Sequence, residues 1–304
     1  MARGIQFLGL AAVAAAGVIA ARQIPWRERP PVRSCPQKSR SDAARRIDWS
    51  AALLAAASLS DSGIEHYRGS FHDKAMYAPL AVATLALTTS ARDALTRADD
   101  ARLPEAVDYL ALATGIIGTG FHLYNIGKRP GGFSWLNLFY AAPLGAPAAL
   151  SLSGLLRLMA AMLRGGQRGI CGVRTETVLA GLVSVGLVGT SAEAALLHFR
   201  GAYHNPAMLV PVTLPPIAAA VLARAACNSG RPHRLTRWAL WALAAVGFFG
   251  AGFHAYGVGR NMGGWRNWSQ NVLNGPPIPA PPSFAALALA GLAALALMRE
   301  HPDA

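Results

Sequence analysis

Six histidines carry the strongest chemical signal in the sequence. They form two matched sets of three: His66, His72 and His122, then His198, His204 and His254. Imidazole is a common metal ligand and is rare in hydrocarbon unless it has a partner. Three rings per set, drawn from three segments that can converge, make a ligand set for haem b or copper. For haem, His122 and His254 are the expected axial ligands, with His66 or His72 and His198 or His204 opposite them. Met76 and Met208 stand four residues after His72 and His204. On a helix that spacing shares a face and adds a thioether suited to copper or to haem iron. Arg68 and Arg200 recur with the histidines and can meet a haem propionate, an acidic headgroup or an anionic substrate.

Each of these residue types also has a plainer role. Interfacial histidines cap helix ends and touch headgroups, and membrane methionines fill gaps. Each arginine can pair along its own helix with an acid seven residues earlier, Asp61 for Arg68 and Glu193 for Arg200.

The matching is a duplication. HYRGSFHDKAMYAP (66–79) and HFRGAYHNPAMLVP (198–211) share seven of fourteen positions at a shift of 132. The same shift brings GTGFHLYNIGKRPGG (118–132) onto GAGFHAYGVGRNMGG (250–264), with eight identities in fifteen. Chance gives about one identity in windows of this size. Gly115 and Gly118 share a helical face with His122, and Gly247 and Gly250 share one with His254. Such a smooth strip either admits a flat group such as haem or lets two membrane helices pack closely.

The elements that must position these residues are membrane spans. The chain is 53% hydrophobic and 14% charged over 304 residues, against about 25% charged in an average soluble domain. Apolar runs fall at 5–21, 47–66, 75–91, 106–124, 135–163, 177–198, 207–226, 238–256 and 283–298, about nine spans of the length a bilayer needs. The fold class read from them is an all-α integral membrane protein. An N-terminal helix (1–24) and a basic cytoplasmic linker (25–46) precede four-helix repeat 1 (47–164). A second cytoplasmic linker (165–175) leads to four-helix repeat 2 (176–299). Four spans return the chain to its starting side. The repeats are therefore parallel, related by a pseudo-twofold axis along the membrane normal.

Net charge is +13, which a basic-inside topology accounts for without nucleic acid. With the N-terminus outside, 20 Lys and Arg fall inside and 8 outside, which sets the orientation in the cell inner membrane and puts the C-terminus in the cytoplasm. In that count Arg157 belongs with the inside helix ends, and no intramembrane acidic relay is expected. All three cysteines fall on the reducing side, matching the lack of a disulfide pattern. The six duplicated histidines share one depth at the outer face. Tyr124, Phe133, Trp135, Trp265 and Trp268 form an outer aromatic belt.

No GxSxG, HExxH or Walker motif is present. Three functions remain. The first is a haem- or metal-binding electron-transfer subunit, serving a periplasmic or membrane redox partner. The second is a non-catalytic scaffold or assembly subunit of a membrane complex. The third is a small-molecule transporter, disfavoured by the lack of midplane charges.

Overall fold

The computed structural model describes residues 37–96, 105–167, 169–170, 172–227 and 234–300. The expected span at 5–21, most of the 25–46 linker, and Cys35, Cys171, His233 and His301 lie outside the described residues. The first half comprises α1 (Gln37–Arg68), a 3-10 turn (Lys74–Tyr77), α2 (Ala78–Thr96), α3 (Ala106–Gly127), the short α4 (Trp135–Phe139) and α5 (Gly145–Arg164). A two-residue antiparallel hairpin, β1 (Gly169–Ile170) with β2 (Val173–Arg174), sits in the linker. The second half comprises α6 (Thr175–Arg200), a 3-10 turn (Pro206–Leu209), α7 (Val210–Cys227), α8 (Arg234–Arg260), a 3-10 turn (Gly264–Asn267), α9 (Trp268–Asn274) and α10 (Pro282–Arg299). Among the described residues, six helices are long and apolar enough to cross a membrane: α3, α5, α6, α7 with its leading turn, α8 and α10. The molecule is an all-α, membrane-embedded protein.

Two boundaries differ from the sequence reading. The apolar run 135–163 is not one span but α4 and α5 separated by residues 140–144. Pro143 lacks an N–H, and its ring disfavours helical backbone at Ala142. The second difference is α1, which starts at Gln37, ten residues before the expected Ile47. Its first turns are held because Ala43, Ala44 and Ile47 join one buried cluster with Leu156, Met159 and Leu163 of α5.

α10 is apolar on every side and is buried accordingly, packing on α1, α6 and α8. Hydroxyls stitch helices across the core by donating to carbonyls: Ser50 to Ala286 (2.6 Å), Ser153 to Ala51 (2.9 Å) and Ser184 to Ala219 (3.1 Å). Such bonds contribute about 1 kcal/mol each where hydrophobic driving force is absent.

The glycine strips decide between the two roles open to them. A Cβ at Gly115 would overlap Ser151 and the Pro147 carbonyl of α5, and one at Gly118 would stand 3.1 Å from the Pro147 ring. A Cβ at Gly247 would stand 2.7 Å from the Ala285 nitrogen and 3.0 Å from the Pro281 oxygen, and one at Gly250 would stand 2.8 Å from Pro281. Both strips are filled by a neighbouring helix, so they offer no slot for a flat ligand. Gly247→Leu is therefore expected to cost about 1–3 kcal/mol of stability, because the atoms it meets are backbone. Thermal unfolding in detergent checks this, and an unchanged midpoint would mean the strip is open.

Candidate functional site

The site begins with a strained turn at the end of α1 and its counterpart at the end of α6. Ser70 and Phe71 adopt left-handed backbone (φ 56° and 45°), as do Ala202 and Tyr203 (φ 53° and 47°). Two consecutive non-glycine residues in this region are costly, and such strain gathers at functional sites. The turn ends each helix by closing back on it: the Phe71 N–H donates to the His66 carbonyl (3.0 Å) and the Tyr203 N–H to that of His198 (3.2 Å). The turn also swings an aromatic ring edge-on to each histidine, with centroids 6.3 Å apart for Phe71–His66 and 6.2 Å for Tyr203–His198. Asp73 and Asn205 then accept from the N–H groups of Ala75 (2.8 Å) and Ala207 (2.9 Å), restarting the helix.

All six histidines use Nδ1 to reach a backbone carbonyl, and four of them reach one in another segment. His66 donates to the carbonyl of Met76 (2.7 Å), and His198 to that of Met208 (2.9 Å). His122 reaches the Pro143 carbonyl and His254 the Pro277 carbonyl, both at 2.7 Å. A carbonyl can only accept, so each neutral ring carries its proton on Nδ1 and leaves Nε2 as a lone pair. Backbone carbonyls fix metal-ligating histidines in this same tautomer. The four rings are half-buried, and the two of the second half meet. His198 and His254 lie 6.4 Å apart between centroids at 75°, and His122 is close enough to His66 and Glu65 to interact with them electrostatically.

The remaining expected ligands are not brought in. His72 and His204 are exposed, and each donates from Nδ1 to its own turn, to Gly69 (3.1 Å) and Gly201 (3.0 Å). His72 and His204 are thus not brought in beside the other two rings of their sets, so three rings do not converge in either half. Among the described residues no group of three or more His, Cys, Asp or Glu stands where it could hold a metal. Met76 and Met208 lay their methyls over Gly69 and Gly201, 3.1 Å from where a Cβ would be. Arg68 pairs with Glu65 (2.7 Å) rather than standing in a heptad pair with Asp61. Arg200 stacks over the Phe139 ring at 5.2 Å. Glu193 instead accepts from the Gly145 N–H (3.0 Å), capping the N-terminus of α5 from the other half. A Cβ at 145 would overlap the Glu193 carboxylate, so any other residue there would push that side chain away.

Sequence reasoning missed the residues that shape the loops between α3 and α5 and between α8 and α10. Asn137 donates from Nδ2 to the carbonyls of Pro130 (2.9 Å) and Gly132 (2.7 Å), and Asn271 to those of Met262 (3.3 Å) and Gly264 (2.8 Å). Gly131, Gly132, Gly263 and Gly264 all need positive φ there. Asn137 and Asn271 stand 134 residues apart, as do Pro143 and Pro277. The second half therefore holds two extra residues in this loop, and a fixed shift of 132 could not align them.

The opposite end of the first half holds a buried charge cluster that the sequence reading did not expect. Arg157 donates to Asp48 (2.6 Å), to Asp93 (2.6 Å) and to Asp108 (3.3 Å), and Arg164 also pairs with Asp48. Arg157 is 6% exposed, so it is not a loop or helix-end charge. An arginine inside an apolar run, with single aspartates on three other helices, was the available signal. No protein-family model, curated protein or solved structure matches the chain. Fold and site together describe an all-α membrane protein with four half-buried histidines near helix ends, each donating from Nδ1 to a backbone carbonyl.

Proposed function

We propose that the chain is an inner-membrane electron-transfer subunit with about nine spans. A first helix precedes two parallel four-helix units related by a pseudo-twofold axis along the membrane normal. The N-terminus lies outside and the C-terminus in the cytoplasm. Each unit holds one redox metal at its outer rim between two imidazoles, His66 with His122 and His198 with His254. Electrons pass between these centres and a partner protein on that side.

One observation carries the reading. All four rings are held as the tautomer that leaves Nε2 without a proton and with a lone pair able to ligate. A metal takes two such lone pairs. Metal–imidazole bonds of about 2.0–2.1 Å, with about 1.1 Å from nitrogen to ring centre, put two rings that ligate in line on opposite sides of a metal roughly 6.3 Å apart. The His198–His254 separation of 6.4 Å matches this. Two imidazoles suit copper or haem iron, and the filled glycine strips favour copper, the smaller occupant.

The same bonds support a second reading, a cofactor-free scaffold. Each ring ties one helix to the turn leading into another, as a clasp would. Elemental analysis and an absorption spectrum of protein purified from membranes separate the two. One copper or haem iron for each histidine pair is expected. A colourless, metal-free preparation that stays folded would leave the scaffold.

A further inference from the structure

The Pro143 carbonyl that meets His122 is fixed from the other half of the chain. The peptide link that carries this carbonyl has the Leu144 N–H at its other end. Glu193 of α6 accepts from the next N–H, that of Gly145 (3.0 Å), and more weakly from that of Leu144. The approach is close, since a Cβ at Gly145 would run into the Glu193 carboxylate. The link is trans and therefore planar, so holding its N–H also sets the direction of its C=O. α6 grips the other end of this segment too. The Phe199 ring meets Phe139 edge-on with centroids 5.7 Å apart, and the Arg200 guanidinium lies 5.2 Å over the same ring. The stretch 140–144 is thus pinned by α6 at both ends, and its Pro143 carbonyl holds the His122 Nδ1 at 2.7 Å.

The second half cannot make the same bond. At a shift of 132 Asp61 corresponds to Glu193, and past the longer loop, at 134, Pro279 corresponds to Gly145. Proline has no N–H to donate. His254 nevertheless makes its own 2.7 Å bond to the Pro277 carbonyl, so the chain contains an internal control.

We infer that Glu193 is a positioning residue for His122. Through the Leu144–Gly145 backbone it aims the Pro143 carbonyl, and that carbonyl fixes the ring with Nε2 free. Outer partners that orient a ligating ring are ordinarily worth about 10–100-fold in metal affinity. α6 also carries His198, so the helix that supplies a ligand in the second half frames a ligand of the first. The consequence for a metal rests on the proposed function, whereas the placement of the ring does not.

Solid-state NMR of the full chain in liposomes, with histidine labelled at its ring nitrogens, tests the inference. Metal is stripped by a chelator, and pH is held where imidazole is neutral. Signals lost in His122→Asn and His254→Asn assign the two rings. In wild type both are expected as the Nδ1–H tautomer. In Glu193→Leu the His122 signal is expected to shift to a mixture of tautomers while that of His254 stays. Gly145→Ala, which pushes the carboxylate away, is expected to match it, and either variant carries the test should the other fail to fold. Glu193→Gln keeps an acceptor oxygen and is expected to restore the wild-type signal. A His122 signal that stays put overturns the inference, as do both rings moving together or a glutamine that restores nothing. Copper(II) added back separates this inference from the proposed function. Its affinity at the first site is expected to fall about 10–100-fold in Gly145→Ala and to hold at the second. An unchanged first-site affinity overturns the inference. No copper bound by wild type counts against the proposed function alone, and the ring signals then decide.

Discussion

Arg157→Leu is expected to destabilise the protein by about 3–5 kcal/mol and to lower its accumulation in membranes sharply. The guanidinium makes charge-assisted bonds to three buried carboxylates from three helices, α1, α2 and α3. Removing it leaves Asp93 and Asp108 without their cation and Asp48 with only Arg164, and uncompensated buried charge is among the costliest single changes. The second half supplies the remedy, with Ala180, Ala225 and Leu240 at a shift of 132 from the aspartates and Gly291 and Met298 at 134 from the arginines. A fivefold variant carrying its residues, Asp48→Ala, Asp93→Ala, Asp108→Leu, Arg157→Gly and Arg164→Met, is expected to regain most of that stability. Denaturant unfolding in detergent, with membrane yield beside it, checks both. A single variant within about 1 kcal/mol of wild type would show that water reaches the cluster and solvates the carboxylates.

His254→Ala is expected to remove the metal of the second pair and leave that of the first, halving the content per chain. The mirror variant, His122→Ala, should do the same to the first pair. Each alanine also strips a side-chain donor from a proline carbonyl, Pro277 or Pro143, at about 1–3 kcal/mol. His254→Asn separates the two roles. The asparagine Nδ2 sits near the position of the imidazole Nδ1 and can still donate to Pro277, but nothing replaces Nε2. Stability close to wild type with the metal lost is the expected combination. Loss of all metal from His254→Ala would mean that the halves share one centre. Unchanged metal would mean that Nε2 ligates nothing.

The repeated polar motifs were legible in the sequence because identical spacing survives there, and the helix ends bearing His66, His122, His198 and His254 fall where the motifs put them. Other features follow from contacts that composition does not record. The break between Phe139 and Gly145 turns on one proline in an otherwise apolar run. The role of Glu193 turns on the N-terminus of a helix 48 residues earlier rather than on Arg200 in its own helix. His72 and His204 look like ligands by type and spacing, but the left-handed turns at Ser70–Phe71 and Ala202–Tyr203 leave them exposed. The charge cluster was hidden for a different reason. Asp48, Asp93 and Asp108 stand near span ends, where a charge ordinarily marks the start of a loop. Only the packing of α5 against α1, α2 and α3 shows them facing Arg157.

X-ray absorption at the metal edge of protein purified from membranes tests the central claim most directly, because it reads the ligands around the ion. Copper or iron with two imidazole nitrogens per site is expected, together with the loss of that imidazole scattering from one site in His198→Ala. A folded protein without metal, or with a metal that shows no imidazole ligand, would contradict it.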